Sequence, residues 1–139
     1  MIVADTGGVL ALLDRDDRHH EIVRQLFEQE PDWILPWAIL PEVDYLATKF
    51  LGQKVARAFV EDLAEGLFSV DSSLDQDLAR ASELLSQYDR LNLGLVDAVV
   101  MAQAERHRAR VIVTTDARHF RAVKLSIRPP PRLVPVDPR

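Results

Sequence analysis

The chain has 139 residues, a formal net charge of −5, 47% hydrophobic residues and 28% charged residues. That length suits one domain with a sizeable core, and the composition excludes a disordered chain. There is no cysteine, which removes disulfides, cysteine-ligated zinc, iron–sulfur clusters and thiol catalysis.

The elements read as an alternation. Ile2-Val3-Ala4 is a short apolar strand stopped by Asp5-Thr6-Gly7-Gly8, and Val9 to Leu13 suggest a short helix. Asp16 or Asp17 is a candidate cap for a second helix, with Ile22, Val23, Leu26 and Phe27 at helical spacing. Trp33-Ile34-Leu35 reads as a strand. Pro36 or Pro41 then opens a helix whose core face is Ile39, Val43, Leu46, Ala47 and Phe50. Gly52 closes it, Val55 to Leu63 forms another helix ended by Gly66, and Leu67 to Val70 is a third strand. Ser73 with Gln76 has the capping-box pattern and opens a helix through Tyr88. Asn92 or Gly94 precedes a helix from about Leu95 to Arg106. Val111–Thr115 is rich in β-branched residues and reads as a buried strand, and Leu133–Val136 as an edge strand that tolerates Pro135. Strands alternating with helices predict right-handed crossovers around a parallel sheet in a single domain over 1–139. Ligands of such sheets bind beyond the carboxyl ends of the strands.

Two strand ends carry an acid there, Asp5 and Asp116, and two further acids sit in apolar company, Glu42 in Ile39–Val43 and Asp97 in Leu93–Val100. Acids are seldom buried without a partner. The cations nearest in sequence to Glu42 and Asp97, Lys49 and Arg90, are each seven residues away. Converging carboxylates repel one another and raise their own pKa values. A bound divalent cation removes that cost, and an all-oxygen carboxylate set suits Mg²⁺ or Mn²⁺. Taken singly, each acid has another role: a helix cap for Asp5 or Asp116, a favourable first-turn charge for Glu42 or Asp97.

Other chemistries find no motif. Neither phosphate-cradling glycine loop is present, nor H-E-x-x-H, nor G-x-S-x-G. Charge is polarised along the chain: residues 1–103 carry 8 Lys/Arg and 19 Asp/Glu, net −11, and residues 104–139 carry 9 and 3, net +6. The arginines of that basic part can track phosphates, or form a solvated helix end at Arg106, Arg108 and Arg110. No apolar run approaches the roughly 20 residues that cross a bilayer. The opening Met-Ile-Val-Ala-Asp has neither a basic start nor a cleavage site, so a cytoplasmic protein with no membrane partner is expected.

The ordered acids, with Leu-Val-Asp97-Ala98 and Val-Thr-Thr-Asp116-Ala-Arg-His119-Phe120, resemble the PIN domain, and within it the VapC-type toxins of bacterial toxin–antitoxin pairs. The likeness runs from Met1 to about Val136. It implies a three-layer α/β/α fold with a mainly parallel sheet of four or five strands. It also implies a Mg²⁺- or Mn²⁺-dependent endoribonuclease with metal-binding acids Asp5, Glu42, Asp97 and Asp116. Thr6, Thr114 and Thr115 support these, and Arg118 and Arg121 are candidates for RNA phosphate contact. A homodimer and a cognate antitoxin that covers the site are further implications. Two features depart from the pattern. Gly7 replaces a usual serine or asparagine, predicting a looser first loop. Leu93, Leu95 and Val96 stand where relatives carry an extra acid, leaving one or two metals open. His119 is placed on the far side of a turn, and His19 and His20 in solvent. Two other functions compete: a PIN nuclease of RNA processing without an antitoxin, and a non-catalytic acidic binding module. Trp33, Trp37, Tyr45 and Phe50 put aromatic area in and around one helix; all four read as core, Phe50 above all, with Trp37 beside Pro36 as the alternative lining of a partner groove.

Overall fold

A computed structural model describes residues 1–137; the last two residues of the expected 1–139 domain lie outside the described residues. Five strands, β1 (Ile2–Ala4), β2 (Trp33–Pro36), β3 (Ser69–Asp71), β4 (Val111–Thr114) and β5 (Arg132–Pro135), form one sheet in the order β3-β2-β1-β4-β5. All four pairings are parallel. The three inner strands are buried along their whole length, which is why they read as unbroken apolar runs rather than alternations.

Among the described residues seven α-helices connect the strands: α1 (Thr6–Leu13), α2 (His20–Gln29), α3 (Leu40–Leu51), α4 (Gln53–Ala64), α5 (Leu74–Gln87), α6 (Leu95–Arg106) and α7 (Arg118–Ala122). The chain moves from β1 outward to β3, then reverses to β4 on the other side of β1. Right-handed crossovers therefore place α1–α4 on one face and α5–α6 on the other. Packing agrees: α1 lies on β1 and β4, α2 on β5, and α6 on β1 and β2. This is the expected three-layer α/β/α arrangement, with the sheet wholly parallel and five-stranded. The reversal between β1 and β4 is the point where such sheets bind ligands.

Several boundaries moved for physical reasons. Gly7 and Gly8, expected to end the first strand in a turn, belong to the first turn of α1. A Cβ on Gly8 would lie 2.2 Å from the Val113 carbonyl oxygen, and one on Gly7 2.4 Å from Thr115 Oγ1. The glycines let the helix touch β4, so the first loop is tight rather than loose. Asp17 does not cap α2; its Oδ1 accepts from the His19 amide at 2.7 Å and shapes the preceding turn. Ser73 starts α5 without a side-chain cap, and its own amide donates to Asp71 Oδ1 at 2.9 Å. Gly52 and Gly66 end their helices at φ 99° and 80°, as a residue without Cβ permits.

Phe50 is not core: it is 70% exposed, and Tyr45 on the same helix is 63% exposed. Trp33 is fully buried. Trp37 turns inward, where its Nε1 donates to Asp77 Oδ2 at 3.0 Å. His20 is not simply solvated, since its Nδ1 stands 2.8 Å from the Ala11 carbonyl oxygen. Among the described residues no helix is long and apolar enough to cross a membrane.

Candidate active site

Strand register assembles the site. Ala4 pairs with Val113, and the Asp5 amide continues the ladder by donating to the Val113 carbonyl at 3.0 Å. Asp5 thus leaves β1 beside the end of β4, two residues before Asp116. It also caps α1, its Oδ1 accepting from the Gly8 amide at 2.8 Å. Glu42 comes from the first turn of α3, which starts with Pro41, and Asp97 from the first turn of α6, whose N-cap is Gly94. These helices flank the sheet on opposite faces, and both aim their amino ends at the same edge.

All four acids line one cavity of about 450 Å³, together with Thr6, Gly7, Thr115 and a rim of aliphatic residues. No lysine, arginine or histidine belongs to that lining. The Asp5 carboxyl is pushed up to about 7, chiefly by burial and further by the facing charges of Asp97 and Asp116, against the lowering effect of the Thr114 hydroxyl and Gly8 amide. Asp116 sits at the mouth, and the Arg118 guanidinium at 3.4 Å lowers its pKa. Thr114 orients Asp116 through the backbone: its Oγ1 accepts from the Asp116 amide at 3.2 Å and donates to the Asp116 carbonyl at 3.1 Å. The buried Thr6 Oγ1 has no hydrogen-bond partner.

The donor set is all oxygen, anionic and short of counter-charge, and it includes an orphaned hydroxyl; these residues fit a hard divalent cation. The acids line the cavity without closing a shell: among the described residues no group of three His, Asp or Glu side chains is poised on one ion.

The remaining candidates separate. Arg118 is at the site, with its side chain 84% exposed. Arg121 is outside the lining, paired with Asp137 at 2.5 Å beside a different cavity. His119 is not across a turn from the acids; its Nδ1 is 3.3 Å from Asp97 Oδ2. Its position in the first turn of α7, three residues after Asp116, was the available signal. A second polar cluster went unread. Asp77, 1% exposed, accepts from Trp37, from Gln103 Nε2 at 2.8 Å and from Arg106 at 2.9 Å. Asp71 accepts from Arg106 at 2.7 Å and contacts His107 Nε2 at 2.5 Å. Arg106 is therefore no solvated helix end.

A parallel α/β/α sheet with acids at its central strand ends is the architecture of a nuclease-type domain, and residues 2–125 match the PIN domain family. The chain belongs to that family. It is 27% identical to Ribonuclease VapC26 of Mycobacterium tuberculosis over 125 residues, covering 88% of this chain and 92% of that protein. Among solved structures it resembles Mycobacterium tuberculosis VapC20, a Sarcin-Ricin loop cleaving toxin, with TM-score 0.78 and 21% identity. That match covers 93% of this chain and all of the other. It also resembles DNA-bound VapBC from Salmonella typhimurium, with TM-score 0.67, 20% identity and 95% of each chain covered. The resemblance to VapC-type PIN proteins read from the residues is borne out.

Proposed function

We propose that this chain is a Mg²⁺- or Mn²⁺-dependent endoribonuclease, the toxin of a type II toxin–antitoxin pair, acting as a single PIN-like domain in the cytoplasm. The observation that carries the reading is the convergence of Asp5, Glu42, Asp97 and Asp116 on one cavity without a cation in its lining. The likeness to a ribonuclease and to toxin–antitoxin structures supports it.

Asp5, Asp97 and Asp116 would hold the metal, with Glu42 on the open side. A divalent ion there activates water and stabilises charge on a phosphodiester. Asp5 anchors the set, because its cap and its ladder bond tie it to both α1 and β4. The Thr114 hydroxyl holds the Asp116 backbone, Thr6 supplies a free hydroxyl, and His119 orients Asp97. No protein side chain is assigned as nucleophile. Arg118, exposed at the cavity mouth beside Asp116, would meet a phosphate. The exposed Tyr45 and Phe50 on α3, the helix that carries Glu42, support a protein partner, either the antitoxin or a second copy in a homodimer.

The test is cleavage of total RNA with cut-site mapping, titrating Mg²⁺ and Mn²⁺ and then adding EDTA. Cuts leaving 5′-phosphates that vanish with EDTA are expected, and co-expression of a small neighbouring gene product should silence them. Cleavage indifferent to EDTA refutes the metal role, and no cleavage of any RNA refutes the nuclease. A metal-dependent nuclease that no neighbouring protein silences would be the RNA-processing alternative.

A further inference from the structure

The opposite edge of the sheet carries the reverse charge. Arg108 and Arg110 precede β4, while Arg128 and Arg132 flank the entry to β5. These four arginines line one cleft of about 680 Å³ with Ser126, two prolines and aliphatic residues, and no acid belongs to the lining. All four are exposed. Two are fixed by the protein: Arg110 pairs with Glu30 at 2.5 Å, and Arg128 donates to the carbonyls of Leu125 and Ile127 at 3.1 and 2.8 Å. The guanidinium groups of Arg108 and Arg132 have no hydrogen-bond or ion-pair partner among the described residues. Arg108 stands in the left-handed region at φ 50°, where glycine is the less strained choice, so the backbone presents a cation at a position that favours no side chain.

Arg110 and Asp116 bracket the four-residue strand β4, which puts about 13 Å between them at roughly 3.3 Å per residue. The molecule is thus an electrostatic dipole with a carboxylate cavity at one end and an arginine cleft at the other. A polyanion approaching it is repelled by the first and drawn to the second. Guanidinium forks match phosphate oxygens in pairs, and the cleft has room for more than one such group.

We propose that this cleft is a phosphate-binding exosite that holds the RNA backbone at a distance from the scissile bond. The ligand class rests on the reading of the chain as a ribonuclease. RNA is favoured over an acidic peptide because the acid cavity offers its substrate no cation but the exposed Arg118 at its mouth, so a second cationic surface adds to capture. Recognition is of backbone rather than base, and it selects RNAs large enough to reach both ends of the sheet.

The test measures binding apart from cleavage. The full-length chain in EDTA is titrated with a labelled, structured RNA across a range of salt, alongside Arg108→Gln/Arg132→Gln, Arg108→Gly, and Arg57→Gln as a remote exposed control. The double variant should bind more weakly, with a slope of log K against log salt shallower by about 1.5. Arg108→Gly, which relaxes the backbone and cannot fail for strain, should lose about half of that. In Mg²⁺, the double variant should raise KM on the structured RNA and leave turnover of a short oligonucleotide unchanged. An unchanged slope, an equal loss in the control, or competition by polyglutamate or by inorganic phosphate as strong as by RNA overturns the exosite. RNA binding that depends on these arginines in a chain that never cleaves RNA would sustain the cleft and sink the nuclease. Cleavage with indifferent arginines would do the reverse.

Discussion

The protein carries two clusters of carboxylates, each with a buried or half-buried acid at its centre, and treats them in opposite ways. Around Asp71 and Asp77 every acid is matched: Arg106 bridges both, His107 and the Ser73 amide serve Asp71, and Trp37 and Gln103 serve Asp77. Burial raises the Asp71 pKa, but Arg106, Ser73 and His107 outweigh it and hold the group well below the usual range. Asp5, by contrast, has no cation of its own and faces Asp97 and Asp116, and its pKa climbs to about 7. A fold able to build the first cluster has the means to neutralise the second. Leaving it without a cation costs stability, in keeping with strain retained at functional sites.

The contrast can be broken most directly at Asp97. Asp97→Ala should reduce Mg²⁺-dependent RNA cleavage by more than about a thousandfold, since a metal site supplies several kcal/mol of transition-state stabilisation. In EDTA the same variant should melt no lower than the native chain, and about 0.5–2 kcal/mol more stably if repulsion with Asp5 is relieved. Wild-type cleavage, or a collapse of the fold, would erase the distinction between the clusters. Asp77→Ala should do the opposite, costing about 3–5 kcal/mol in urea denaturation because Arg106 is left partly unpaired in a buried setting; a loss under 1 kcal/mol would show the matched cluster to be decorative. Adding Mg²⁺ at a hundred times its Kd should stabilise the native chain by about 2.7 kcal/mol and Asp97→Ala by much less, read as a shift in Tm. The smallest effect concerns pH. Because the folded pKa of Asp71 is depressed, the unfolded chain binds more protons as acid is added. The contribution is therefore complete above the ordinary carboxylate range, begins to be lost as pH falls below about 4, and is gone only below the depressed folded pKa. Asp71→Asn should cost about 1–2 kcal/mol at pH 7, and the gap to the native chain should narrow steadily as pH falls below about 4, with part of it still present at pH 3.

The sheet was legible because its strands are short apolar runs with an acid or turn directly after them. Asp5 and Asp116 follow from that alone, since parallel strands end on one edge. Glu42 and Asp97 were found through their aliphatic neighbours and through helices whose first turns face that edge. What the sequence hid were properties of packing between distant elements. Phe50 fits the helical period of Ile39 and Val43, yet no neighbouring element covers it. Gly7 and Gly8 look like a turn until β4 is laid against them. Asp77, Gln103 and Trp37 are separated by 26 and 40 positions from one another's partners, and nothing local announces that they meet. His119 was displaced in the same way, because the direction of α7 depends on where α6 lies.

The contact of α1 with β4 has a mechanical consequence. With no side chain between Gly8 and the Val113 carbonyl, there is no compressible layer that could let the helix slide on the strand. The two acids at their junction must therefore keep their spacing while surrounding loops breathe. Amide exchange should find this seam among the last parts of the molecule to open.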